Sequence, residues 1–142
     1  MQERLLKKLH EYIAENNPEL LLELEEESKV IEYLQRKVNS IEHLLQQYRG
    51  QPEYIIEEIC LDLLTKELRP SKFNYLRSIL EEEFEACFKK FSEAGTLQGE
   101  IINLLDHCQP VFKVIHFTEE NKDRRELRYV IMWMIREYEK CE

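Results

Sequence analysis

Apolar residues recur along nearly the whole chain at intervals of three and four, the period of a helix face, and no strand-like alternation competes with them. Leu5, Leu9, Tyr12 and Ile13 set a first helix from about Gln2 to Asn16. Asn17-Pro18 interrupts it, because a residue before proline avoids the α region. Pro18 equally suits the first position of a new helix capped by Asn17, so residues 17–27 stay open between a helix and a mixed turn. From Ser28, a plausible cap, to Gly50, a plausible stop, Ile31, Leu34, Val38, Ile41, Leu45 and Tyr48 form a narrow seam of coiled-coil spacing. Pro52 opens a third helix with a broad stripe of Ile55, Ile56, Ile59, Cys60, Leu63 and Leu64, and Arg69-Pro70 ends it.

Ser71 is placed to cap a fourth helix that carries Phe73, Leu76, Leu80, Phe84, Cys87 and Phe91 on one face until Gly95. Its three phenylalanines predict the centre of the core. Thr96 caps a fifth helix with Leu97, Ile101, Leu104, Leu105 and Cys108, which Pro110 is expected to kink or to divide from residues 111–117. After the polar run Thr118 to Asp123, a last helix carries Leu127, Val130, Ile131, Met134, Ile135 and Tyr138. The pattern predicts an all-α protein: an irregular bundle of five or six helices, a single domain over 1–142 with one core, most of it buried by the second to fourth helices.

Composition narrows the class. With 142 residues, 43% hydrophobic and 35% charged, the chain is neither a disordered tail nor a membrane protein, and its longest uncharged apolar run, Tyr129 to Ile135, is too short to span a bilayer. Three glycines and four prolines are too few for a many-turned β architecture. The charged, amphipathic start lacks the apolar stretch of a secretory signal, so the expected location is the cytoplasm. Cys60, Cys87, Cys108 and Cys141 are widely spaced without a C-x-x-C pair and are expected to be reduced thiols, mostly buried.

Charge changes the picture further. Twenty-nine acidic residues against 20 basic ones give −9, which opposes binding to nucleic acid. Glu15, Glu19, Glu23, Glu25, Glu26 and Glu27 fall in a stretch without a base, and Glu81, Glu82, Glu83 and Glu85 form a second cluster. The locally basic stretch is Lys122, Arg124, Arg125 and Arg128. Such runs are usually solvated helix faces and only occasionally docking sites.

No spacing specifies a reaction. His107 and Cys108, with Asp106 before them and His116 after, are the right ligand types for a metal, but adjacent helical residues diverge by about 100° and no i, i+3 or i, i+4 ligand pair occurs. No metal, cofactor or catalytic residue is therefore expected. Neighbouring glutamates on a helix splay into water rather than share a cleft, and no P-loop, G-x-G-x-x-G or G-x-S-x-G is present. Cys87, among Phe84, Phe88 and Phe91, reads as an inert core thiol. Trp133 and Tyr129 flank the apolar run of the last helix, so that helix is apolar on more than one side and is expected either at the centre of the core, the commoner case, or against a second chain.

The stretch Ser71-Lys72-Phe73-Asn74-Tyr75-Leu76-Arg77-Ser78-Ile79-Leu80-Glu81-Glu82-Glu83-Phe84 resembles the Ser-Lys…Leu…Ile-Leu…Glu-Phe signature of a small bacterial family of unknown function from anaerobic gut and oral bacteria, often near mobile elements. Leu9, Tyr12 and Ile13 before Asn17-Pro18-Glu19-Leu20, then Leu63-Leu64, Leu104-Leu105, Cys108-Gln109 and Val111-Phe112 are similar to it in the same order. The resemblance covers nearly the whole chain and implies an all-α domain with no activity to carry over.

These readings favour an interaction protein over an enzyme: a small cytoplasmic module with an acidic helical surface that binds another protein, with a homodimer through the last helix as a further option. The candidate surface is Glu19, Glu23, Glu25, Glu26, Glu27, Glu81, Glu82, Glu85 and Trp133. A sharper form of this reading is that the acid imitates nucleic-acid charge toward a basic partner. The rival is an enzyme or ligand-binding bundle whose site gathers scattered residues such as His43, Tyr75, Asp106 and His107.

Overall fold

The computed structural model describes residues 1–138. Those residues form nine α-helices and one 3-10 turn, where five or six helices were expected: α1 (Gln2–Asn16), α2 (Pro18–Glu26), α3 (Val30–Ser40), α4 (Glu42–Gln47), α5 (Glu53–Thr65), the 3-10 turn Lys66–Leu68, α6 (Lys72–Glu83), α7 (Glu85–Ala94), α8 (Leu97–Val114) and α9 (Arg125–Glu137). The all-α class holds. The extra helices arise because three predicted segments are interrupted or resolved. Residues 18–26 are helical with Pro18 at the first position. The expected second helix breaks at Ile41 (φ −112°, ψ 9°) and the expected fourth at Phe84 (φ −131°, ψ 52°).

Capping explains several boundaries. The Ser71 hydroxyl accepts from the Asn74 amide at 3.0 Å and starts α6. Gly95, at φ 72°, closes α7, and the Thr96 amide reaches back to the Phe91 carbonyl at 3.0 Å, the six-to-one bond of a left-handed helix end. Ser28 does not cap a following helix. It stands at φ 56° and plays the part of Gly95 for α2, with Lys29 N–H donating to Leu24 C=O at 2.8 Å. Nor does Pro110 divide its helix: α8 continues through it to Val114, with Leu104, Leu105 and Cys108 buried before the proline and Phe112 after it.

One core was expected, and two are present among the described residues. The chain gathers into two compact units, Met1–Arg69 and a second beginning at Pro70. In the first, α1 packs on α2, α3 and α5 and buries Leu5, Leu9 and Ile13 against Leu34, Val38, Ile41, Ile56, Cys60 and Leu64. In the second, α6 packs on α7, α8 and α9 around Leu76, Ile79, Leu80, Ile101, Leu104, Leu127, Ile131 and Ile135. The predicted seam of the second helix is shorter than its spacing implies, since Ile31 is 71% exposed. Phe84 is not at the core's centre either: it is half-buried at the α6–α7 break, under the Arg136 guanidinium at 5.9 Å. Among the described residues no helix is long and apolar enough to cross a membrane.

Candidate functional site

Glu23, Glu25 and Glu26 are exposed along the second half of α2 and Glu27 at its C-cap, while Glu19 is half-buried in its first turn. A helix end carries partial negative charge at its C-terminus and positive at its N-terminus, so Glu19 suits its place and the last three glutamates oppose theirs. Leu20 and Leu21 turn the other side of α2 onto the first core. Among the described residues Glu23, Glu25 and Glu26 make no ion pair, and Glu27 meets only Lys29 at 3.7 Å, where both side chains are more than half exposed. That face is uncompensated acid on a short helix.

The second acidic cluster is compensated. Glu82 and Glu83, at the end of α6, accept from the Arg128 guanidinium of α9 at 2.7 and 3.0 Å. Those hydrogen bonds, the one to Glu83 first, hold Arg128 above its usual range against the desolvation that opposes them. Glu81 pairs with Arg77 at 3.6 Å, and Glu85 sits in the first turn of α7, where acid is favoured. Glu81 and Glu82 are thus paired within the second unit, and Glu85 stands at a helix start.

Sequence reasoning missed Glu57. It lies on the apolar stripe of α5, 7% exposed, paired with Lys8 of α1, whose hydrogen bond holds its carboxyl below the usual value against burial. Its position between Ile56 and Cys60 on a buried face is the signal that marks it. An open groove of about 420 Å³ runs beside this pair between α1 and α5, lined by Glu11, Tyr12, Glu15, Glu58 and Leu61 among others.

The scattered residues of an enzyme reading have different surroundings within their own units. His43 is exposed on α4 in the first unit, and Asp106 is exposed on α8 in the second. The Tyr75 ring packs on Phe117 and Phe112, with centroids 4.9 and 6.2 Å away, and burial pushes its hydroxyl up to about 12. His107 lies elsewhere, against Tyr138 at 5.9 Å. Cys60, Cys87 and Cys108 are buried free thiols, and burial raises Cys108 to about 11 and Cys60 in the same direction, away from reactivity. Cys141 lies outside the described residues. Among the described residues no three His, Cys, Asp or Glu side chains converge as a metal site would require.

Within the basic stretch Lys122 pairs with Glu119 at 3.0 Å, Arg124 with Glu126 at 3.8 Å, and Arg128 with α6. The aromatic side of α9 departs from the commoner expectation. α9 buries Leu127, Ile131 and Ile135, and it leaves Tyr129 60% and Trp133 57% exposed rather than central.

A family model described as "Domain of unknown function (DUF1896)" matches residues 5–132. No curated protein and no solved structure shows significant similarity to the chain.

Proposed function

We propose that this chain, which belongs to the family described as Domain of unknown function (DUF1896), is a protein–protein interaction module of the bacterial cytoplasm that offers the acidic face of α2 to a basic partner. The observation that carries this reading is the charge at the end of α2. Glu25, Glu26 and Glu27 stand at the negative end of their helix with, among the described residues, one weak counter-charge between them. That arrangement disfavours the helix that bears it, so folding does not account for it. A basic surface would neutralise both the carboxylates and the helix end on binding, which favours fast, salt-sensitive association. In its sharper form the partner is a nucleic-acid-binding protein, for which a row of carboxylates stands in for phosphates.

The test is capture by the tagged full chain from nuclease-treated lysate of its native host, beside a variant in which Glu23, Glu25, Glu26 and Glu27 are all lysine. One near-stoichiometric basic protein retained by the wild type and lost from the variant, with an unchanged circular dichroism spectrum, is the expected result. Identical capture by both proteins overturns the reading.

A further inference from the structure

The surface of α9 divides into rows of residues four apart, whose side chains neighbour one another along the helix. Leu127, Ile131 and Ile135 point into the second core. The row of Arg128, Met132 and Arg136 faces α6 and its continuation, with Arg128 on Glu82 and Glu83, Met132 packed on the core and Arg136 over Phe84. A third row, Arg125, Tyr129, Trp133 and Glu137, is exposed at every position.

The order of charges in that row matters. Arg125 stands at the positive N-terminal end of α9 and Glu137 at the negative C-terminal end, each on the side its own helix disfavours. Neither makes an ion pair with another described residue. At 1.5 Å per residue they lie about 18 Å apart with the two rings between them. Turning a second identical row end for end puts Glu137 beside Arg125, Trp133 beside Tyr129, and the reverse at the other end. A parallel pairing would instead set Arg on Arg and Glu on Glu. The row is therefore complementary to itself only in the antiparallel sense, and that pairing is reciprocal, as a two-fold interface is.

We propose that a second copy of this chain docks antiparallel on this row, forming a homodimer in which two Arg125–Glu137 pairs bracket a stack of Tyr129 and Trp133 rings. Large aromatics flanked by charge are the usual anchors of such contacts. A contact one helix wide buries less than the roughly 1,200 Å² of a standard stable interface, so the dimer is weak and dissociates on dilution. The proposal uses only the second unit and stands independently of the α2 reading.

Trp133 is the chain's single tryptophan, so its emission reports this face directly. The experiment is a dilution series of the full chain, followed by sedimentation velocity and by tryptophan emission. Dimer at high concentration with a blue-shifted emission that reverts on dilution is expected. Arg125→Glu alone and Glu137→Arg alone should each weaken the dimer by about tenfold or more, and the two together should restore it. Both changes improve the match to the helix dipole, so loss of fold would not explain a lost dimer, and thermal melts check this. A monomer with unshifted emission throughout, a dimer indifferent to the single reversals, or a double variant that fails to recover would each overturn the proposal.

Discussion

The end of α2 and the junction of α6 with α7 carry nearly the same sequence of charge, and the fold treats them differently. Glu23, Glu25, Glu26 and Glu27 on one side match Glu81, Glu82, Glu83 and Glu85 on the other in number and crowding. At the α6–α7 junction, Arg77 and Arg128 neutralise three of the four, and the fourth opens a helix where acid is welcome. At the end of α2, Lys29 is the one base paired with this acid among the described residues, and the chain turns through Ser28 at a φ of 56° where Gly95 does the equivalent work for α7. The difference separates acid that is paired within its own unit from acid that is left almost unpaired among the described residues. Glutamate density does not distinguish them. The position of the nearest arginine does.

The comparison has an extreme case in Glu57, the most deeply buried carboxylate of a described ion pair, and the largest expected effect lies there. Lys8→Met leaves that carboxylate against the first core without its base, and should destabilise the protein by about 2 kcal/mol, less than a fully buried pair because Lys8 is half exposed. Glu57 titrates below its ordinary 4.5 in the folded chain, so the stability it contributes is present above 4.5 and is lost as pH falls through the lowered value. The gap between wild type and variant in urea unfolding should therefore be wide at neutral pH and close in acid. A gap that stays constant with pH would place the effect in lost packing of the lysine stem instead.

How much of this was legible in the sequence depends on how local the signal is. The span of α1, the cap at Ser71 and the stop at Gly95 were readable because one or two neighbouring residues decide them. The breaks at Ile41 and Phe84 carry no proline or glycine, and there the burial of different faces on either side overrides a helical pattern that runs straight through. Pro110 is the converse: a strong local breaker held within α8 by the buried residues on both sides. Two cores were read as one because periodicity tells which face of a helix is buried but not against what. The acidic stretches were visible at once, yet their status was not, since Arg128 lies 45 positions from Glu83. The exposure of Trp133 was likewise undecided by a helix whose apolar residues extend past a single stripe.

Breaking the compensated cluster tests its side of the comparison. Arg128→Gln removes two charge-assisted hydrogen bonds from a side chain 31% exposed and leaves Glu82 and Glu83 facing each other at a helix end. A loss of about 1–2 kcal/mol is expected, at the upper end for a partly screened pair because one guanidinium serves two carboxylates. Glu82→Gln combined with Arg128→Gln should recover part of that loss, since one of the stranded charges is gone. Equal stability of the single and double variants, measured by denaturant midpoint, would mean the pairs are surface ornament and the two clusters are alike after all.

The smallest effect is the one with the opposite sign. Glu25→Lys and Glu26→Lys each replace a charge that the end of α2 disfavours with one that it favours, and should raise stability by about 0.3–1 kcal/mol apiece at low ionic strength. The gain should shrink as salt is added, because these side chains are exposed and their interaction with the helix end is screened within about 10 Å at 0.1 M. The same reversal at Glu82 or Glu83 should lower stability, because Arg128 is already there. Thermal melts of the four single variants at two salt concentrations therefore give a sign for each position. Opposite signs at α2 and α6 establish that one acidic helix end is held by the fold and the other is carried at its expense, which is the condition under which a partner becomes the reason for the charge.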